Sequence, residues 1–145
     1  MISYMFNFYK EIFTSKISGT FPDLYRKECW AVIFGYGNFL DANLKKMKPI
    51  SMPKKVFWAD PFLFNKDNKT YVFFENLSYE KMIGKISCGE VYEDSKNNFI
   101  LANIKDVLVK EYHLSYPQIF EDNGEIFMIP ETSSNNRVEV YKSLN

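Results

Sequence analysis

Three carboxylates recur in a spacing that could support acid–base chemistry. Asp60 stands directly before Pro61 in an apolar run, and Glu75 ends the next apolar run. The pattern returns 56 residues further along the chain, where Pro117 replaces Pro61 and Glu131 replaces Glu75. Carboxylates in one pocket can hold a substrate hydroxyl or move a proton to and from it. The repeat therefore makes these three acids the first candidates for a functional site.

Two further candidates flank the second proline. His113 is the only histidine of the chain, and Tyr116 occupies the position equivalent to Asp60. A histidine can bond a sugar hydroxyl or a phosphate, or pass a proton near neutral pH. A structural hydrogen bond to a neighbouring sheet accounts for His113 equally well. Tyr116 is expected to face the same pocket as Asp60 and to offer an aromatic ring on which a sugar could stack.

The elements that must position these residues are short strands. Apolar runs bounded by polar turns, with Asn123-Gly124 as a hairpin signal, predict two consecutive antiparallel meanders. The predicted strands are 56–64, 71–75, 82–93 and 99–109 in the first repeat and 118–121, 125–131 and 138–141 in the second, preceded by a strand at 30–36. The second repeat lacks a fourth strand.

Four-stranded meanders repeated at this length are typical of β-propeller blades, whose inner strands line a central axis. We therefore predict an all-β fold, a partial β-propeller of about two blades plus a preceding strand; a β-sandwich is the alternative. Residues 1–29 are expected to be a short helical or irregular segment and residues 30–145 the propeller domain, with blade 1 at about 56–110 and an incomplete blade 2 at about 113–145. A propeller needs more blades to close. Either this chain is a piece of a longer protein, or further copies complete it.

Composition narrows the function classes. Lysine plus arginine equals aspartate plus glutamate, which disfavours nucleic acid as a partner. Cys29 and Cys88 have no metal-ligand spacing, so no metal site is predicted. The sequence has no phosphate loop or dinucleotide fingerprint, so no cofactor is expected. It also has no apolar run of transmembrane length and no signal-peptide core, from which we expect a cytoplasmic protein.

Several stretches together resemble one known family. They are 57–64, 71–75, Gly84-Lys85-Ile86, 113–117 and 130–133. These stretches are similar to the N-terminal domain of glucosamine inositolphosphorylceramide transferases, which also occurs in bacterial proteins of polysaccharide loci. That domain resembles the five-bladed propellers of the arabinanase, levansucrase and invertase superfamily. The resemblance covers about residues 30–142 and implies a partial five-bladed propeller, truncated here, that acts on or binds a sugar or glycoconjugate.

The resemblance also implies roles for the candidate residues. In the glycoside hydrolases of the superfamily an aspartate of the first inner strand is base or nucleophile, and this position falls on Asp60. Glu131 is then the candidate general acid, with Glu75 as an alternative or a substrate-binding group. The superfamily's second-blade aspartate is replaced by Tyr116, and its third-blade glutamate would lie beyond residue 145. Asp60 could instead only cap its strand by accepting backbone N–H bonds.

Three functions remain open at this stage. The chain could be a carbohydrate-active domain associated with glycan or glycolipid synthesis, a non-catalytic module that recognises a glycan or positions a partner, or a truncated product without activity of its own. Whether it is an enzyme is left open. Trp58 is a candidate for sugar binding, although packing between blades is the more ordinary role for Trp58 and Trp30.

Overall fold

The computed structural model describes residues 2–7, 30–37, 40 and 42–144, and these ranges are almost entirely β-structure. The strands are β1 (Ile2–Asn7), β2 (Trp30–Gly35), β3 (Lys48–Pro49), β4 (Val56–Lys66), β5 (Lys69–Ser78), β6 (Gly84–Glu93), β7 (Phe99–Leu108), β8 (Ser115–Asp122), β9 (Glu125–Glu131) and β10 (Tyr141–Lys142). Two single 3-10 turns, Leu44–Lys46 and Ser133–Asn135, interrupt the connections.

The strands form three antiparallel sheets. Sheet 1 has the order β1-β2-β3, sheet 2 the order β4-β5-β6-β7, and sheet 3 the order β10-β9-β8. Sheet 2 is an up-and-down meander that covers the region predicted as the first blade. The all-β prediction is confirmed, and the arrangement is consistent with a partial propeller-like fold.

The three sheets pack face to face, with sheet 2 in the middle. One apolar cluster lies between sheets 1 and 2 and is built around Phe34, Trp58 and Phe74. A second lies between sheets 2 and 3 and is built around Ile86, Leu114 and Ile119. β4 contacts β1 and β2 of sheet 1 and also β8, the first strand of sheet 3. This brings the two repeated X-Pro segments side by side.

Both X-Pro segments form the same bulge. In sheet 2 Ala59 pairs with Glu75 and the next pair is Phe62 with Phe73, so two residues of β4 lie opposite one residue of β5. In sheet 3 the corresponding pairs are Ser115 with Glu131 and Gln118 with Ile129. Every one of these pairs is reproduced at the 56-residue offset. Proline lacks an N–H, so it suits the unpaired position of a bulge.

The residue before each proline has a left-handed backbone. The φ angle is 49° at Asp60 and 44° at Tyr116. A positive φ is uncommon for residues other than glycine, and for a bulky residue such as tyrosine it costs conformational energy. Such positions concentrate where a side chain must point in a particular direction. Each bulge therefore aims the side chain that precedes its proline.

The bulge also explains why Trp58 does not lie beside Asp60. A bulge inserts one residue, so the alternation of side chains between the two faces changes phase across it. Before the bulge Trp58 points into the cluster between sheets 1 and 2, whereas beyond it Phe62 and Phe64 point towards sheet 3. If side chains are assigned to alternate faces along the sequence without the bulge, Trp58 and Phe62 are placed on the same face of sheet 2.

The predicted N-terminal helix is wrong for residues 2–7. These residues form β1, which pairs antiparallel with β2 from Ile2 opposite Gly35 to Asn7 opposite Trp30. Backbone pairing along the whole length of β2 outweighs the helical preference inferred from scattered apolar residues. The remainder of the predicted segment, 8–29, lies outside the described residues.

The third strand of the second repeat is shorter than predicted. Only Tyr141 and Lys142 pair with β9, so residues 138–140 are not strand. The carboxylate of Glu139 accepts hydrogen bonds from Tyr112 at 2.5 Å and from Asn135 at 2.8 Å, and also from Tyr141. These bonds hold residues 132–140, called here the Arg137 loop, away from β9. In the part of the chain that the structure describes, no helix has the length and apolar character needed to span a bilayer.

Candidate functional site

The two bulges meet at a small cavity of about 210 Å³. Four of the five polar candidates from the sequence line it, because β4, β5, the segment before β8, and β8 converge there. The lining residues are Phe57, Ala59, Asp60, Glu75, His113, Ser115 and Tyr116. We refer to this space as the Asp60 cavity.

Glu75 is held by His113, and the backbone of Gly84 fixes the orientation of the histidine ring. Nε2 of His113 lies 3.2 Å from Oε1 of Glu75. Nδ1 of the same ring accepts a hydrogen bond from the backbone N–H of Gly84 at 3.0 Å. An Nδ1 that accepts an amide N–H carries no proton, so the imidazole is neutral and its Nε2–H donates to Glu75. The contact is a hydrogen bond between neutral groups rather than an ion pair.

Gly84 is required by this close approach. A Cβ atom added to Gly84 would lie 2.6 Å from the backbone oxygen of Leu114 and 2.8 Å from Oε1 of Glu75. The carbonyl of Gly84 also accepts the backbone N–H of Leu114 at 3.0 Å. Any side chain at this position would separate β6 from the segment that carries His113.

Glu75 and Asp60 share a proton at neutral pH. The side chain of Glu75 is only 7% exposed, and burial, followed by the negative charge of Asp60 and their mutual hydrogen bond, raises the pKa of Glu75 to about 8. Burial also raises the pKa of Asp60, but there the hydrogen bond to Glu75 acts in the opposite direction and lowers it. Two adjacent carboxylates cannot both ionise cheaply. Glu75 therefore keeps the proton and donates it to the Asp60 carboxylate.

Tyr116 completes the surroundings of Asp60. Both its backbone N–H and its hydroxyl are hydrogen-bonded to the Asp60 carboxylate. The negative charge of Asp60, with some burial, raises the pKa of the Tyr116 hydroxyl, which is therefore a donor at neutral pH. The ring itself remains 57% exposed. Tyr116 thus fixes Asp60 from one side and presents an open aromatic face from the other.

Glu131 lies close to this cluster but not in the Asp60 cavity. Its negative charge contributes to the raised pKa values of both Asp60 and Glu75. It accepts a hydrogen bond from the Ser115 hydroxyl at 3.2 Å and is exposed. Glu131 lines a neighbouring cavity of about 380 Å³ in which Tyr116 also takes part. The repeat equivalent of Glu75 is therefore a neighbour of the cluster rather than a member of it.

The sequence-based proposal that Trp58 contacts substrate is not supported by its position. Trp58 is 3% exposed and its ring packs on Phe74 with 4.7 Å between ring centroids. Its indole Nε1 is buried without a hydrogen-bond partner. Trp58 is a core residue on the opposite face of sheet 2.

The arrangement brings together several groups that form hydrogen bonds with hydroxyl groups. It offers a carboxylate acceptor, a carboxylic acid, a phenol and an exposed ring within one cavity, a combination suited to sugar hydroxyls. Among the described residues no group of three or more histidine, cysteine, aspartate or glutamate side chains is arranged to hold a metal ion. Acid–base contacts to hydroxyl groups are the chemistry these residues can carry.

Comparison with known proteins assigns the family. Residues 44–145 match the family described as the N-terminal part of glucosamine inositolphosphorylceramide transferase 1. The chain belongs to this family. The match includes sheet 2, sheet 3 and every residue that lines the Asp60 cavity.

Curated relatives agree with this assignment. Glucosamine inositolphosphorylceramide transferase 1 of Arabidopsis thaliana is 34% identical over 89 residues, which are 61% of this chain and 11% of the relative. The proteins of the same name from the indica and japonica subspecies of Oryza sativa are each 30% identical over 87 residues, 60% of this chain and 11% of the relative. The match thus covers a small part of much longer proteins. No solved structure matches the chain.

Reasoning from the sequence missed two residues at or beside the site. The sequence places Gly84 only in the predicted strand 82–93 and in the family resemblance, and Ser115 only in the run before Pro117. A glycine that opens an otherwise apolar strand is a signal for a close backbone approach, and it could have pointed to Gly84. Ser115 could have been found from the repeat, because it corresponds to Ala59 opposite the strand-end glutamate.

Proposed function

We propose that this chain carries a carbohydrate-binding site, at the Asp60 cavity, in a protein that takes part in glycosphingolipid synthesis. The curated relatives are named glucosamine inositolphosphorylceramide transferase 1, and glucosamine is the sugar that this name prints. The observation that carries the proposal is the cavity in which Asp60 and Glu75 lie together beside the open ring of Tyr116. This cluster has both an acceptor and donors for sugar hydroxyls.

The geometry favours recognition over hydrolysis by Asp60 and Glu75. The oxygens of an O–H···O hydrogen bond lie about 2.5–3.0 Å apart. Glycosidases hold their two carboxyl groups about 5–5.5 Å apart when they retain configuration and about 6.5–9.5 Å apart when they invert it. Two carboxyl groups that bond directly to each other leave no room for a glycosidic bond between them. Their direct bond supports a role in holding a hydroxyl.

A second candidate function is acid–base catalysis by Asp60 with Glu131. The charge of Glu131 acts on Asp60, so the two carboxyl groups lie near each other. In this alternative Asp60 is the base and Glu131 the acid. It differs from recognition in one respect that can be measured, which is turnover of a bound glycoside.

The experiment is a titration of the protein with glucosamine, followed by nuclear magnetic resonance of the backbone amides. Binding with shifts near Asp60, lost in Asp60→Asn, would support the proposal. Asp122→Asn, an exposed aspartate at the end of β8, is the matched control and should bind as the wild type does. Hydrolysis of an aryl glucosaminide that depends on both Asp60 and Glu131 would support the catalytic alternative. If the wild-type protein binds neither glucosamine nor a glucosaminide, the proposal is wrong.

We further propose that additional sheets complete a propeller around this site, either from a longer protein or from a second copy. Phe64 and Phe73 on one face of sheet 2 are covered by sheet 3. The repeat equivalent of Phe64 is Phe120, which lies on the opposite face of sheet 3, where it stacks on Phe127 yet remains 39% exposed. An apolar face of this kind is the surface that a further blade would cover.

A further inference from the structure

The Asp60 cavity is smaller than a usual ligand site. Its volume is about 210 Å³, whereas pockets that enclose small ligands measure roughly 300–1,000 Å³. Its wall at Tyr116 is shared with the neighbouring cavity of about 380 Å³. The two spaces together fall well within the usual range. A ligand held at Asp60 therefore has room to extend in one direction, past Tyr116.

The second cavity arises from a departure from the repeat. In sheet 2 the glutamate opposite the bulge is Glu75. The residues after it stay paired, since Asn76 pairs with Lys85 and Leu77 with Gly84. In sheet 3 the residues after Glu131 leave the sheet as the Arg137 loop. Where the first repeat has a continuous strand, the second has an opening beside Glu131.

The Arg137 loop does not pair with β9, but side-chain hydrogen bonds hold it in place. Glu139 is bonded to Tyr112 and Asn135, and the Thr132 hydroxyl donates to the backbone oxygen of Arg137. Thr132 is 3% exposed. A loop tied at both ends presents its intervening side chains in a fixed position, which reduces the entropy lost when a ligand binds.

The lining of the second cavity suits another sugar ring. Arg137, Glu131, Gln118 and Ser133 supply polar groups, and the remaining lining is apolar or partly apolar and includes Ile129, Pro130 and Val138. An arginine and a carboxylate on the same wall can donate to and accept from neighbouring hydroxyls. The apolar patch can cover the face of a ring.

We infer that this second cavity is a second sugar subsite, so that the site takes a glycan at least two rings long, lying across Tyr116. The inference rests on the proposed function. A further sheet packed on sheet 3 is compatible with a second subsite. Sheet 3 covers the adjoining face of sheet 2 in the same way, and the Asp60 cavity nevertheless remains open. The first ring contacts Asp60 and Glu75, and the second contacts Glu131 and Arg137.

The test compares glucosamine with its β-linked disaccharide, by calorimetry on the whole chain. The wild type is expected to bind the disaccharide about tenfold more tightly, a typical gain for a few added polar and apolar contacts. Arg137→Ala and Glu131→Gln should each remove most of this gain while changing the affinity for glucosamine much less. Lys96→Ala, an exposed cation in a distant turn, is the control and should preserve the gain.

The outcomes separate the two proposals. Equal affinity of the wild type for both sugars, or equal loss of both in Arg137→Ala and Glu131→Gln, would overturn the second subsite and leave the Asp60 site intact. Absence of binding by either sugar would overturn the proposed function and the subsite together. Chemical-shift changes at residues 129–138 that occur with the disaccharide but not with glucosamine would support the subsite independently of affinity.

Discussion

The backbone N–H of Gly84 donates a hydrogen bond to Nδ1 of His113 across 3.0 Å. This one bond determines which ring nitrogen of His113 carries the proton. With Nδ1 occupied as an acceptor, the ring's proton lies on Nε2 and points to Glu75, 3.2 Å away. Glu75 then accepts from His113 at one oxygen and donates its own proton to Asp60. A backbone position in sheet 2 thus orients the histidine that holds Glu75 beside Asp60.

Replacing Gly84 with alanine should destabilise the protein and disturb the site together. The added Cβ meets backbone and a buried carboxylate, neither of which can move freely, and overpacking of this kind costs about 1–3 kcal/mol. Gly89→Ala is the matched control, because the nearest atoms there belong to the flexible side chain of Leu101. Urea denaturation of the three proteins measures the difference. Equal stability of Gly84→Ala and wild type would contradict the close approach described here.

Stability should decrease as the pH rises from about 4.5 to about 8. In that interval an unfolded Glu75 has lost its proton while the folded protein retains it, so the folded state binds more protons and the free energy of unfolding falls with pH. The full effect is on the order of 5 kcal/mol. Denaturation at several pH values measures it.

Glu75→Gln supplies the control for this pH dependence. Glutamine keeps a donor towards Asp60 and an acceptor for His113, but it does not titrate. The decrease in stability between about pH 5 and pH 8 should therefore become much smaller in this variant. Glu121→Gln, an exposed glutamate of β8, should retain the wild-type dependence. An unchanged slope in Glu75→Gln would show that another group is responsible.

Trp58 should matter for stability and not for sugar binding. Trp58→Ala removes a 3%-exposed ring and should cost about 3–5 kcal/mol. Trp58→Phe should cost far less than the alanine variant, since the indole N–H has no partner to lose. The variant to use for binding is therefore Trp58→Phe, and its affinity for glucosamine should equal that of the wild type. A large loss of affinity in this well-folded variant would return Trp58 to the list of binding residues.

Glu139→Gln should loosen the Arg137 loop. The charged carboxylate accepts bonds from Tyr112, Tyr141 and Asn135, and these bonds lower the pKa of Glu139. An amide would keep only part of this network. Hydrogen exchange of the amides at 133–140 should become faster, while exchange in β4 and β5 should not change. Glu111→Gln, an exposed glutamate outside the network, is the control.

The repeat in the sequence was sufficient to predict much of the fold. Two proline residues and two glutamates at one offset predicted sheet 2 and the hairpin of sheet 3, and the paired residues in the structure follow the same offset. The grouping of Asp60, Glu75, His113 and Tyr116 around one cavity agrees with the candidates chosen from the sequence. Their role in binding a sugar remains a prediction.

The errors have physical causes that lie outside local sequence. Residues 138–140 alternate like a strand, but the bonds that Glu139 makes with the distant Tyr112 override that preference. Residues 2–7 became a strand because β2 offered a partner. In each case a contact between distant parts of the chain decided the outcome.

The most direct test of the central claim is the side-chain carboxyl resonances of Asp60 and Glu75 in carbon-13-labelled protein, recorded while glucosamine is added at neutral pH. We expect that both signals shift with the sugar, that Glu75 starts as a protonated acid with a midpoint near pH 8, and that Asp122 and Glu121 do not respond to the sugar. A Glu75 signal that titrates near 4.5, or saturation with glucosamine that leaves both carboxyl signals unmoved, would contradict the account.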